Sequence, residues 1–195
     1  MAASLLEVVR QNARHGNRQF APPRRYPGST LQPSLRTPRN WHWRAGSATP
    51  GPSVIFDVDG VLADASGRQH LLEWPLRDWD AFFDACGDDP VIDEVARMLS
   101  LLDKELVVVL LTARPMRVQR QTLEWIRHHG LRWDLLVMRS AGDRDWASEY
   151  KRRVVGDLRA AGFDPQLAVE DDRRNVDMFH RAGIPCLYVH SGYYD

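Results

Sequence analysis

Two carboxylates one residue apart are the first candidates for chemistry. Asp57 and Asp59 follow the apolar, β-rich run Val54-Ile55-Phe56, and Gly60 comes directly after them. A carboxylate is seldom buried without a partner, so two at the end of a buried strand point to a cation or a polar reaction. Gly60 lets the chain turn away where a side chain would obstruct it. A plainer reading also fits, because Asp is common where strands end in turns. Other polar residues stand in the same relation to later apolar runs. Thr112 follows the run at 106–111, and Glu170, Asp171 and Asp172 follow Leu167-Ala168-Val169. Lys151, one of two lysines in the chain, lies on a helical pattern between those runs. Carboxylates without His or Cys suit magnesium. A magnesium ion, an ammonium and a hydroxyl together suit a phosphoryl group.

These residues can act together if the ends of the apolar runs meet on one edge, and the pattern provides that. Short apolar runs at 54–56, 106–111, 135–138, 167–169 and 186–189 alternate with stretches of helical spacing. Such alternation predicts an α/β fold with a central parallel sheet covered on both faces, whose strands open their carboxyl ends onto a common ligand edge. Asp89-Pro90 reads as a cap and first residue for the helix carrying Val95 and Leu99. Pro115 reads as the start of the next helix, and Asp145 or Ser148 as the cap of the one carrying Lys151. Between the first strand and its helix lies an insertion, 64–90, holding Leu71, Leu72, Trp74, Leu76, Trp79, Phe82 and Phe83, with Asp78 or Asp80 as a helix cap. These aromatics are expected to pack a small cap, and Trp125 and Trp133 to lie in the core.

Composition bounds the rest. With 195 residues and 44% hydrophobic content, one domain with a real core is expected. Residues 1–52 carry eight Arg and one acid, Glu7, with seven prolines between Pro22 and Pro52. That composition predicts a disordered basic tail, and a domain spanning 53–195. Within the tail, Ser4–Arg10 has the make-up of a helical turn, and Trp41-His42-Trp43-Arg44 has the make-up of a stacking patch for single-stranded nucleic acid. Cys86 and Cys186 have no metal-binding spacing, which points to a reducing, cytoplasmic setting. No apolar run reaches the length of a membrane span, and no obligate protein partner is evident.

Taken together, Asp57-x-Asp59-Gly60-Val61-Leu62, Leu111-Thr112-Ala113-Arg114, Lys151 and Val169-Glu170-Asp171 resemble the four ordered motifs of the haloacid-dehalogenase-type phosphotransferases. Over nearly all of 53–195 the sequence is similar to the 3′-phosphatase domain of bacteriophage polynucleotide kinase-phosphatases. That likeness includes Ser66-Gly67-Arg68, Met138-Arg139-Ser140-Ala141-Gly142-Asp143 and the final Val189-His190-Ser191-Gly192-Tyr193-Tyr194-Asp195. The kinase half has no counterpart, because no GxxxxGK[ST] loop occurs. The family's acid four positions before the motif lysine is replaced by Ala147, leaving Asp143, Asp145 or Glu149 as substitutes.

The resemblance implies a three-layer Rossmann-like fold and a Mg2+-dependent phosphomonoesterase. Asp57 would be the nucleophile, forming an aspartyl-phosphate, and Asp59 the general acid and base. Asp57, the Asp59 backbone carbonyl and Asp171 would hold the metal, with Glu170 or Asp172 in support. Thr112, Lys151, Arg114 and Arg68 would bind the phosphate. The implied substrate is a phosphomonoester, with a 3′-phosphate nucleic-acid end as the leading case and a small nucleotide or metabolite as its rival. A nucleic-acid-binding or scaffolding protein with an inactive site is the alternative of another class. Taken singly, Thr112 fits a helix cap equally well, and Lys151, Arg68 and Arg114 fit solvated surface positions.

Overall fold

The structure, a computed structural model, describes residues 38–75 and 77–194. The helical turn expected at Ser4–Arg10, together with Leu76 and Asp195, lies outside the described residues. Six strands form one sheet: β1 (Trp41–Trp43), β2 (Pro52–Phe56), β3 (Val107–Pro115), β4 (Leu135–Arg139), β5 (Asp164–Glu170) and β6 (Cys186–Tyr188). Their spatial order is β1-β4-β3-β2-β5-β6. All neighbouring pairs are parallel except β1 with β4. The expected parallel sheet is therefore mostly parallel, with one antiparallel edge strand.

Alternation along the strands sorts the core into two layers. Val54 and Phe56 of β2, Val108 and Leu110 of β3, and Leu136 and Met138 of β4 pack on one face. They meet Val95 and Leu99 of α2 (Asp93–Ser100) and Trp125 and Ile126 of α3 (Gln119–His128). Ile55, Val109, Leu111, Leu135 and Val137 face the other way. They meet Tyr150, Val154, Val155 and Leu158 of α4 (Ala147–Ala160), and Met178 and Phe179 of α5 (Arg173–Arg181). Successive strand side chains point to opposite faces, so runs with no polar position are what a sheet covered on both sides requires.

The insertion is closed at its root by Asp64 N–H to the Pro90 carbonyl at 2.8 Å and Ile92 N–H to the Leu62 carbonyl at 2.8 Å. It holds a 3₁₀ segment, Ala65–Leu72, and one short helix, α1 (Trp79–Asp84), capped by Asp78. Phe82 is buried, whereas Trp74 and Trp79 are exposed. Trp125 and Trp133 are buried, as expected.

Four local readings are corrected. Trp41–Trp43, placed by composition in the tail, is an edge strand on β4. Trp41 is buried, 6.5 Å from the ring of Phe163, and Trp43 is partly buried beside it, because packing of these indole rings outweighs the surrounding proline and arginine. That packing also occupies the patch read as a surface for stacking bases. β3 runs through Thr112 and Arg114 to Pro115, and α3 begins at Gln119 after a 3₁₀ turn, Met116–Val118. A proline at the end of a strand is tolerated where no ladder donor is needed. Helix α2 begins with Ile92 as its cap and no side-chain bond, so Asp89 is not its cap. Helix α4 starts after Trp146, again without a side-chain cap, because Asp145 is paired with Arg153.

Candidate active site

The carboxyl ends of β2, β3 and β5 lie side by side at the centre of the sheet. Asp57 leaves β2, and its N–H is held by the Val169 carbonyl of β5 at 3.0 Å. Gly60 follows with φ +78°. A Cβ built on it would stand 1.9 Å from Asp171 Oδ2, so this turn needs glycine for its close approach as well as for its backbone angle. Asp57 and Asp59 point into different surroundings.

Asp57 belongs to an acidic half. Its Oδ2 is 2.9 Å from Lys151 Nζ, and Lys151 also donates to Glu170 Oε2 at 2.6 Å. Lys151, on the second turn of α4, is buried. Carboxylate oxygens of Asp57, Glu170 and Asp171 all lie within 4.8 Å of one another. Both oxygens of Glu170 are engaged, the second by Asn175 Nδ2 at 3.1 Å and the N–H groups of Asp171 and Asp172 at 3.3 Å. Asp57 Oδ1 and both oxygens of Asp171 are buried with no hydrogen-bond partner among the described residues.

Buried acceptors without donors are costly. Burial, then the charge of Glu170, raises Asp57 well above the usual carboxylate range, with Lys151 opposing. Burial and the charge of Asp57 push Asp171 up to about 7. For Lys151, burial works to lower the ammonium, but the charges of Asp57 and Glu170 outweigh it and hold it protonated. A cluster of oxygen donors that resists its own negative charge fits a hard cation.

Asp59 belongs to an arginine half. Arg114 Nε and Nη2 donate to it at 3.0 and 2.6 Å, and Arg68 Nη2 pairs with its Oδ1. A second carboxylate, Asp89, holds the same two arginines. Arg68 reaches it through Nε at 2.8 Å and Nη2 at 2.7 Å, and Arg114 through Nη2 at 3.1 Å. Asp89 is itself fixed by Trp125, whose indole N–H donates to the Asp89 carbonyl at 2.7 Å. Arg68 also lies 4.0 Å over the ring of Phe82 and donates to its carbonyl, which ties the cap to the site. Burial alone would raise Asp59, but Arg114 and then Arg68 more than offset it and hold the carboxylate below its ordinary range. The Asp59 side chain keeps 19% of its surface exposed, against 3% or less for the two arginines.

Asp57, Asp171, Glu170 and Lys151 gather in one half, and Asp59, Arg68 and Arg114 in the other. Thr112 is fully buried in β3, with its Oγ accepting the Arg114 N–H at 3.1 Å, so it supports the strand end and caps no helix. Arg114 likewise sits in a strand and not at a helix opening. Asp172 turns away: it caps α5 through Arg174 N–H at 2.9 Å and chelates the Arg174 guanidinium. None of the substitutes considered for the acid missing at Ala147 reaches Lys151. Asp143 and Asp145 pair with Arg153, Glu149 pairs with Arg152, and Glu170 takes the supporting role. Asp89 was missed, because Asp followed by Pro satisfies the helix-cap pattern and nothing local signals two distant arginines.

Comparisons with known proteins identify the family and the fold. The family model of the polynucleotide kinase PNKP phosphatase domain matches residues 51–194. A solved chain in the structure of the Pnkp1/Rnl/Hen1 RNA repair complex is similar at 21% identity and TM-score 0.63, over 80% of this chain and 48% of that one. A chain of another Pnkp1/Rnl/Hen1 complex is similar at 19% identity and TM-score 0.63, over 97% and 61%. Class C acid phosphatase from Bacillus anthracis, with tungstate bound, is similar at 12% identity and TM-score 0.54, over 75% and 69%. This chain spans 48% and 61% of the first two, and at such identities the likeness concerns the fold. No helix among the described residues is long and apolar enough to cross a membrane.

Proposed function

The chain belongs to the polynucleotide kinase phosphatase-domain family of haloacid-dehalogenase-type phosphatases and is a phosphoric monoester hydrolase; from that premise we propose that it removes 3′-phosphates from nucleic-acid ends, with Mg2+, through an aspartyl-phosphate on Asp57. The observation that carries the reading is the split between the two carboxylates. Asp57 has an unpartnered oxygen beside Asp171, and Asp59 is held by two arginines. The phosphatase domain read at 53–195 also takes in β1, which joins its sheet, and 64–90 is its small cap.

Asp57 Oδ1 and the oxygens of Asp171 would hold Mg2+, with the Asp59 backbone carbonyl as a further ligand. When bound, the ion supplies positive charge that lets an anionic carboxylate and an anionic phosphate approach each other. Glu170 fixes Lys151, and Lys151 steadies Asp57 and meets a phosphoryl oxygen. The incoming phosphate dianion competes with Asp59 for the donors of Arg68 and Arg114. As the guanidiniums turn to phosphate, Asp59 loses what kept it ionised, takes up a proton and becomes the acid.

The Asp57 oxygen forms a bond to phosphorus while the bond to the leaving ester oxygen breaks, and Asp59 gives that oxygen its proton. Asp59, now a carboxylate, then takes a proton from water. The water oxygen attacks phosphorus, releasing inorganic phosphate and restoring Asp57. Support for a polymer end comes from the family match and from a cap of one 3₁₀ segment and one short helix, which leaves room at the edge.

The test is hydrolysis of a 3′-phosphate oligonucleotide beside a free nucleoside monophosphate, with Mg2+ and with a chelator. The oligonucleotide should be preferred, and turnover should vanish with the chelator. Equal or faster hydrolysis of the free nucleotide would leave a small-nucleotide phosphatase. No hydrolysis of any phosphomonoester would leave an inactive, binding fold.

A further inference from the structure

Every group assigned so far serves phosphate binding, the metal or the bond-breaking step, and none distinguishes a nucleotide from another phosphomonoester. The chain after β6 offers a group that could. Gly192, with φ +78°, turns it back toward the catalytic edge. Ser191 packs on the strand-end turn, its Cβ 3.1 Å from where a Gly60 side chain would begin. The Tyr193 hydroxyl donates to Asp64 Oδ1 at 2.7 Å, and its N–H to Ser191 Oγ at 3.3 Å. This turn is therefore pinned to the loop after Asp59 and to the root of the cap.

Tyr194 follows directly. The Arg174 guanidinium lies 5.5 Å from the centre of its ring, and Arg174 is itself locked onto Asp172 through Nε and Nη2. Asp172 itself turns away from the acidic half, and what sets the ring beside the reacting edge is the turn that carries it, held against Gly60 by Ser191 and against Asp64 by Tyr193. Yet 51% of Tyr194 remains exposed. A restrained aromatic ring that stays half open beside a phosphate site matches the way proteins stack bases without sequence preference. Partial burial, then the charges of Asp171, Asp57 and Asp172, push the phenol up, so the ring is neutral. No step of the reaction uses it.

Building on the polynucleotide reading, we propose that Tyr194 determines substrate class, stacking its ring on the nucleobase of the nucleotide that bears the 3′-phosphate. Loss of one base stack corresponds to roughly 5- to 150-fold in affinity. The test compares the parent with Tyr194→Ala, Tyr194→Phe and Tyr194→Trp on a 3′-phosphate oligonucleotide and on β-glycerophosphate, which has no base. In Tyr194→Ala, the preference for the oligonucleotide over β-glycerophosphate should fall by that factor, mainly through KM. Tyr194→Phe and Tyr194→Trp should restore it, because the ring and not the hydroxyl does the stacking.

Equal losses on both substrates, or an unchanged preference, would overturn the assignment of Tyr194 while the parent still prefers the oligonucleotide. A parent that hydrolyses β-glycerophosphate but not the oligonucleotide would instead overturn the polynucleotide reading, and this inference with it.

Discussion

The acidic half and the arginine half of the site differ in how completely their charges are matched. Around Asp59, two arginines face two carboxylates, and the guanidinium donors are taken up by Asp59, Asp89, Phe82 and neighbouring groups. Around Asp57, three carboxylates face one lysine, and three carboxylate oxygens have no partner among the described residues. A balanced buried network is stable as it stands. An unbalanced one with two surplus negative charges is stable with a divalent cation in it. One half is thus complete before substrate arrives and is suited to exchanging partners with an anion. The other is incomplete and suited to a metal. Under the proposed function, the chemistry sits where the two meet, at Asp57 and Asp59.

The largest expected effect comes from removing the proposed nucleophile. Asp57→Asn should cut turnover by at least about 10³-fold, the scale of losing a covalent nucleophile. Its melting temperature should equal or exceed the parent's, because the substitution relieves the crowded acidic half. Residual turnover within tenfold of the parent would remove Asp57 from that role.

Gly60→Ala drives a methyl group into Asp171 at a backbone angle that disfavours alanine. Displacing Asp171 by about an ångström should lower turnover by about 10²-fold, as misplaced catalytic geometry does. Steady-state kinetics of the refolded variant would check this, and parent-like rates would mean that Asp171 can move without consequence.

In the arginine half, Arg68→Ala and Arg114→Ala should each lower kcat/KM on a 3′-phosphate oligonucleotide by about 30- to 150-fold, the equivalent of roughly 2–3 kcal/mol of lost charge-assisted bonding. Arg114→Ala should also lower stability by about 1.5–3 kcal/mol in a denaturant titration, because it leaves Arg68 alone to hold two carboxylates, Asp59 and Asp89. A neutral effect of both on kcat/KM would confine the arginines to a structural role.

The smallest effect on turnover concerns the far edge of the sheet. A chain begun at Gly51 loses β1 and the packing of Trp41, worth about 1.5–3 kcal/mol by burial of a large side chain. Its melting temperature should fall by several degrees while kcat/KM stays within about twofold, since β1 touches neither half. A larger loss of turnover would tie the edge strand to the site.

How much of this was legible in the sequence follows from the range of each interaction. β2 to β6 were readable because each contains a short apolar run, and β2, β3 and β5 carry polar residues at its carboxyl end. The acidic half was readable because Asp57, Lys151, Glu170 and Asp171 each sit at such an end or on the adjoining helix. β1 was not readable: three residues in a proline- and arginine-rich stretch carry too little pattern, and their burial depends on β4 and Phe163. Asp89 was hidden for the same reason, since its cap-like setting is local and its partners Arg68 and Arg114 are 21 and 25 residues away. Glu170 taking the place of the acid missing at Ala147 likewise required the fold to bring β5 against α4.

The claim that the two halves have different occupants is tested most directly by calorimetric titration of Mg2+ into the parent, Asp171→Asn and Asp89→Asn at pH 7.5. One ion per chain should bind the parent, Asp171→Asn should lose that binding, and Asp89→Asn should retain it. Absence of Mg2+ binding in the parent, or binding that survives Asp171→Asn and disappears in Asp89→Asn, would contradict it.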